Sequence, residues 1–126
     1  MMENSFNLAH RGFATNAYET SRDLKWSQPE KAIARKAFDN AYSRECSVIL
    51  KKLKKMIANA SGPPDIWKIH DYLSVQRRET DNKYDYRYSV LLQVFARLLN
   101  ENWITEADLQ GLREDKIEII KKFANL

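Results

Sequence analysis

Ser27-Gln28-Pro29-Glu30 opens the stretch that decides the fold of this 126-residue chain. A serine followed three residues later by glutamate is a capping box, and Pro29 falls in the first turn, where its missing N–H costs nothing. From there Ile33, Ala37, Phe38, Ala41, Tyr42, Ile49, Leu53, Met56 and Ile57 keep helical spacing until Gly62-Pro63-Pro64 punctuates the chain. The spacing predicts one helix of roughly 33 residues, about 50 Å long. A compact chain of about 100 residues has a radius of gyration near 13 Å, so one subunit cannot cover such a helix. Either the helix bends or a second copy packs along it. With no interior glycine or proline, the second is the stronger expectation, and it predicts a homodimer.

The rest of the chain continues in the same idiom. Asp65 is the expected N-cap of a second helix that fades near Glu79-Thr80-Asp81-Asn82. Tyr84 to about Asn102 reads as a third helix, with Val90, Leu91, Val94, Phe95, Leu98 and Leu99 on its apolar face. Thr105 caps a fourth, carrying Leu109, Leu112, Ile119, Ile120 and Phe123. The expected class is therefore all-α, with four helices and no strand alternation. Residues 1–25, rich in Asn, Ser, Thr and Ala, read as a flexible extension, although Phe6, Leu8, Phe13 and Tyr18 are able to dock. Residues 26–126 form the helical domain.

Composition excludes several classes. The apolar runs are too short to span a membrane, and no secretory leader is visible in Met1–Lys25, so a cytoplasmic protein is expected. A single cysteine, Cys46, closes no internal disulfide. His10 and His70 are the only histidines, which argues against a metal site, and no cofactor motif or glycine-rich phosphate loop is present. No serine or cysteine has a recognisable nucleophilic setting, so no catalytic residue is assigned. His70 and Asp71 are neighbours, but consecutive helical residues point about 100° apart, which weakens an acid–base reading.

Net charge is +4, and its distribution says more than its sum. Residues 28–60 hold eight basic and three acidic residues, while the remaining segments are balanced or nearly so. Lys51, Lys52, Lys54 and Lys55 dominate that excess. They read either as a solvated face that suits a helix C-terminus or as a surface for phosphate or an acidic protein. The run from Arg77 to Arg87 mixes both signs, unlike the strong positive bias of nucleic-acid elements, and reads more simply as ion pairs fixing a turn.

The second helix carries more chemistry than a core requires. Ile66, Ile69 and Leu73 make an apolar stripe suited to a dimer interface. Beside it Trp67, His70, Asp71, Ser74 and Arg77 place an indole, an imidazole, a carboxylate, a hydroxyl and a guanidinium on one surface. Trp and Arg are enriched at the centres of protein interfaces, so this stripe reads as a recognition surface. Trp67 also suits plain packing, and Arg77 a surface ion pair with Glu79 or Asp81.

These residues carry a resemblance. Asp65-Ile66-Trp67-Lys68-Ile69-His70-Asp71-Tyr72-Leu73-Ser74, followed by Arg77, Glu79, Asp81, Lys83-Tyr84-Asp85 and Arg87-Tyr88-Ser89-Val90, resembles the fluorescence recovery protein family of cyanobacteria. Trp26-Ser27-Gln28, Ala37-Phe38, Ala41-Tyr42-Ser43-Arg44-Glu45, Val94-Phe95-Ala96-Arg97-Leu98-Leu99, Leu109, Leu112 and Asp115-Lys116 extend it from Trp26 to Leu126. The resemblance implies a dimeric, all-helical, non-enzymatic regulator of photoprotection. Such a regulator binds the C-terminal domain of the light-activated red orange carotenoid protein and speeds its return to the orange form. It also promotes release from the phycobilisome, ending non-photochemical quenching, and is compatible with peripheral association with the phycobilisome or the cytoplasmic side of the thylakoid. The family's functional cluster falls on Trp67, His70, Asp71 and Arg77, and its dimer-contact aliphatic on Ile66. No nucleic-acid partner is implied.

The pattern also has departures. A head-region site of the family has an aromatic where this chain has Gln93 and a cation where it has Ile119. Glycines at the ends of the second and third helices are replaced by Asn82 and Asn102, and asparagine tolerates the left-handed conformation. The departures open a second reading, a dimeric helical scaffold for another protein partner.

Overall fold

A computed structural model describes residues 24–125. The expected extension falls almost wholly outside that range, including Phe6, Leu8, Phe13 and Tyr18. Four α-helices follow in order: α1 (Gln28–Ala58), α2 (Pro63–Lys83), α3 (Leu91–Asn100) and α4 (Glu114–Ala124). A one-turn 3₁₀ helix (Glu106–Leu109) sits between α3 and α4. Among the described residues the only bridge pairing is the isolated Gln110–Leu112. The class is all-α, as the periodicity predicts.

The capping box at Ser27 forms with both of its reciprocal hydrogen bonds, and α1 runs unbroken for 31 residues, about 46 Å. Its first half buries Ala34, Ala37, Phe38 and Ala41. Three alanines on one stripe let α1 lie close to the 3₁₀ turn, while α3 and α4 pack on each other and supply Leu91, Leu92, Phe95, Leu98 and Ile120 to a common core with Ile104, Leu109 and Leu112. This compact part is the head. Beyond Ala41 no residue of α1 is buried, and α2 buries only Thr80 and Lys83 near its own end. The second half of α1 and most of α2 therefore form a helical hairpin covered by little but each other.

Three expected boundaries shift, each for a local reason. Asp65 is not the cap of α2: Gly62 holds that position, and Pro63 and Pro64 open the helix because its first turn needs no N–H donors. Asp65 instead sits inside that turn and accepts a hydrogen bond from the Ser61 backbone N–H at 2.9 Å. α3 does not begin at Tyr84 but at Leu91. Tyr84, Tyr86 and Tyr88 alternate with Asp85 and Arg87, and this two-residue period sends all three rings toward one side. Tyr84 and Tyr86 meet Phe38 edge-on at 5.4 and 4.8 Å, and Tyr88 meets Trp26 at 5.4 Å. Thr105 caps the 3₁₀ turn rather than the last helix, because Gly111, at φ 106, redirects the chain before Arg113 caps α4. Asn102 does adopt the left-handed conformation, at φ 66, whereas Asn82 lies within α2.

Two buried ion-pair clusters tie the parts together. Lys116 Nζ donates to both carboxylate oxygens of Glu30 at 3.1 Å, linking α4 to the first turn of α1. Lys83 Nζ donates to Glu45 at 2.7 Å and Glu101 at 2.6 Å, and the Tyr84 hydroxyl donates to Glu45 at 2.8 Å. Burial raises the Glu101 carboxyl, but hydrogen bonds from Lys83 and Arg97 outweigh it and hold the group below its usual range. The end of α2 is thus fixed to the head, and with it the direction in which the hairpin leaves.

Candidate recognition face on the helical hairpin

Along α2, the half-buried or buried residues are Asp65, Ile69, Tyr72, Gln76, Thr80 and Lys83, spaced by three and four. That stripe faces α1. The residues expected to form a recognition surface lie outside it: Ile66 and Trp67 are 58% and 63% exposed, and His70, Asp71, Ser74 and Arg77 are exposed with them. Of the three residues expected at a dimer interface, Ile66 and Leu73 are exposed, while Ile69 belongs to the half-buried stripe toward α1.

The exposed residues are ordered among themselves. The Trp67 and His70 rings meet edge-on with centroids 6.2 Å apart. His70 Nδ1 lies 3.2 Å from Asp71 Oδ1, so this pair does meet: both side chains lean across the angle between their Cα–Cβ bonds. The contact corrects the expectation from helical geometry. Arg77 Nε donates to Asp81 Oδ2 at 2.9 Å, and that bond raises the guanidinium above its ordinary range. Between these groups runs an open hollow of about 620 Å³, lined by His70, Leu73, Ser74, Arg77, Arg78, Asp81 and Asn82. Its apolar floor and ionic rim suit a protein side chain entering from a partner.

Sequence reasoning missed the contribution of α1. Tyr42 stands close enough to feel the charges of both Arg77 and Asp81. Its hydroxyl is pushed up, first by the neighbouring Cys46 thiol and then by burial and Asp81, with Arg77 opposing. The Tyr42 ring also meets Tyr84 edge-on at 5.2 Å. Its position at the end of the buried half of α1 makes Tyr42 look like core from spacing alone. Arg78 and Asn82 were likewise absent from the expected site. The mixed-charge run does form ion pairs, Arg77 to Asp81 and Arg87 to Asp85, as the simpler reading of it expects.

Gln93 and Ile119 lie in the head, half-buried on α3 and α4, and Ile119 packs against the core. They are not part of the hairpin face. Among the described residues no group of histidine, cysteine or carboxylate side chains is placed to hold a metal ion. No helix among them is long and apolar enough to cross a membrane.

A compact helical head from which a two-helix hairpin displays an ordered aromatic and ionic face defines an all-α protein with its candidate site on an open surface. The profile of the family described as "Photoprotection regulator fluorescence recovery protein" matches residues 26–124. The chain belongs to that family, and with it to a group of photoprotection regulators. It is 41% identical over 104 residues to the fluorescence recovery protein of Synechocystis sp. PCC 6803, covering 82% of this chain and 95% of that protein. Two solved structures are similar, those of the fluorescence recovery proteins of Fremyella diplosiphon and Synechocystis. Their sequences are 38% and 40% identical to this chain; each superimposes with a TM-score of 0.76 over 81% of this chain and all of the other.

Proposed function

We propose that this protein binds the light-activated red form of the orange carotenoid protein, through that partner's C-terminal domain, and speeds its return to the orange form. It thereby promotes release from the phycobilisome and ends non-photochemical quenching. The observation that carries the reading is the outward display of Trp67, His70, Asp71 and Arg77 on one open face, with no demand from the protein's own core. Trp67 offers apolar area, while Arg77 and Asp71 offer directional polar contacts. Acceleration follows if this face binds the transition state between the two carotenoid-protein conformations more tightly than it binds the red state. No bond is made or broken by the regulator.

The working unit is a homodimer. Every large apolar side chain left exposed among the described residues lies between Tyr42 and Val75, on the hairpin that the head does not cover. Leu50 and Ile57 of α1 and Ile66 and Leu73 of α2 give a second copy an apolar surface to cover. Because the recognition stripe adjoins Ile66 and Leu73, the dimer would also steady the hairpin that presents it. Peripheral association with the phycobilisome or thylakoid would then come through the partner.

The test is direct. Orange carotenoid protein is converted to the red form, and dark recovery is followed by absorbance with and without this protein. A shortened recovery at stoichiometric amounts supports the reading, and an unchanged rate overturns it. The replacement of an aromatic and a cation by Gln93 and Ile119 favours a second reading, a dimeric scaffold for another protein, and an unchanged rate from an intact dimer would favour that one.

A further inference from the structure

We propose that the face of α1 between Val48 and Asn59 is a docking surface for an acidic protein segment, separate from the Trp67–Arg77 face. Glu30, Ala34, Ala37 and Ala41 are the stripe of α1 that packs into the head. Continued by threes and fours, that stripe runs on through Val48, Lys52, Lys55 and Asn59, where the head no longer covers it. Here the helix leaves an open hollow of about 420 Å³ lined by Val48, Lys51, Lys52, Lys55, Met56 and Asn59. Val48 and Met56 supply an apolar floor and the lysines a cationic rim.

No salt bridge within the described residues uses these lysines. Several cations of the head and of the end of α2 do have carboxylate partners: Arg44 with Asp108, Lys83 with Glu45 and Lys116 with Glu30. Among the described residues no carboxylate pairs with Lys51, Lys52 or Lys55, and the Lys52 ammonium rests 5.2 Å above the Tyr72 ring. The helix dipole accounts for Lys55 in the last turn, but its effect fades before Lys51 and Lys52. Like charges at three- and four-residue spacing repel, so the cluster weakens α1 unless something negative meets it.

Shape and charge select the occupant. Tyr72 and Arg77 are five residues apart, about 140° around α2, so the lysine face and the Arg77 hollow open on different flanks of the hairpin. A second copy of the same face would set lysine against lysine. A flat bilayer does not follow a hollow along one flank of a helix. A segment with aliphatic side chains between glutamates or aspartates matches both floor and rim, and the span from Val48 to Asn59, about 17 Å, accepts some three turns of helix. A partner held here leaves the Trp67–Arg77 face open, so the two surfaces can act together or apart.

The probe is a fluorescein-labelled acidic amphipathic peptide of about 20 residues built from Glu, Leu and Ala, titrated with the full chain by anisotropy at low salt. Binding is expected, and Lys52→Glu/Lys55→Glu should weaken it about tenfold or more, while Lys25→Glu/Lys54→Glu, with the same change in net charge, alters it less than about twofold. Circular dichroism confirms that both variants stay helical. Equal weakening by the two variants, no binding by the native chain, or tighter binding to anionic vesicles or duplex DNA than to the peptide would overturn the proposal. Dark recovery of the carotenoid protein is a separate readout, so failure here leaves the function proposed above untouched.

Discussion

Replacing Glu30 by Gln tests what holds the head to α1. Glu30 is 3% exposed and accepts from Lys116, from the Arg113 backbone N–H at 2.9 Å and from the Ser27 backbone N–H at 3.1 Å. Burial alone would raise its carboxyl, but these hydrogen bonds outweigh burial and lower it from 4.5 to about 2. A drop of that size corresponds to about 3 kcal/mol of stability in favour of the ionised form. The folded value lies below the unfolded one, so the contribution is complete above about pH 4.5 and is lost as pH falls toward 2. Glu30→Gln at neutral pH removes that same interaction and leaves the buried Lys116 ammonium without its carboxylate, a kind of loss that costs about 3–5 kcal/mol. Urea unfolding followed by circular dichroism at several pH values measures both effects. The native chain should exceed Glu30→Gln by about 3 kcal/mol at pH 7, with the gap closing as pH falls from 4.5 toward 2. Glu30→Gln/Lys116→Met, which removes both charges, should regain much of the loss. A gap below about 1 kcal/mol, or one independent of pH, would refute the reasoning.

Other outcomes follow from the same geometry. Ile66→Glu places a charge on the exposed apolar flank of the hairpin and should convert a dimer to the 14.8 kDa monomer in light scattering without loss of helicity; an unchanged mass contradicts the proposed interface. Gly111 sits at φ 106, and a Cβ there collides with Ile33 Cδ1, so Gly111→Ala should lower the unfolding free energy by about 1–3 kcal/mol. Tyr84→Phe removes the hydroxyl bonded to Glu45 and should cost about 1–2 kcal/mol in urea unfolding. Burial and that hydrogen bond push Tyr84 up beyond the reach of an ordinary alkaline titration, and burial pushes Tyr86 up to about 12. Ultraviolet titration should therefore show Tyr42, Tyr84 and Tyr86 ionising late or not at all, with one of the three absent in Tyr84→Phe.

The helical class and the start of α1 are legible in the sequence because capping and periodicity are local properties. The α2 stripe is legible for the same reason, since one face carries chemistry that a core does not need. Tyr84 through Tyr88 departs from the helix expected there because period outweighs apolar content: the tyrosine–charge alternation is the signal of extended chain. Pro63 and Pro64 end one helix and equally open the next, since the first turn needs no N–H donors. Lys116 looks solvated in sequence, and its partner Glu30 is 86 residues away, so nothing local announces a buried pair. Tyr42 comes within reach of the Arg77–Asp81 pair only once α2 folds back on α1.

The central claim is that the exposed Trp67 face acts on the carotenoid protein. Trp67→Ala removes the largest exposed apolar group of that face and nothing from the core. Dark recovery of red carotenoid protein with equal amounts of native and variant protein, both shown helical and of equal mass by light scattering, measures it. The variant is expected to lose most of the acceleration, about tenfold or more. Recovery as fast as with the native chain would contradict it.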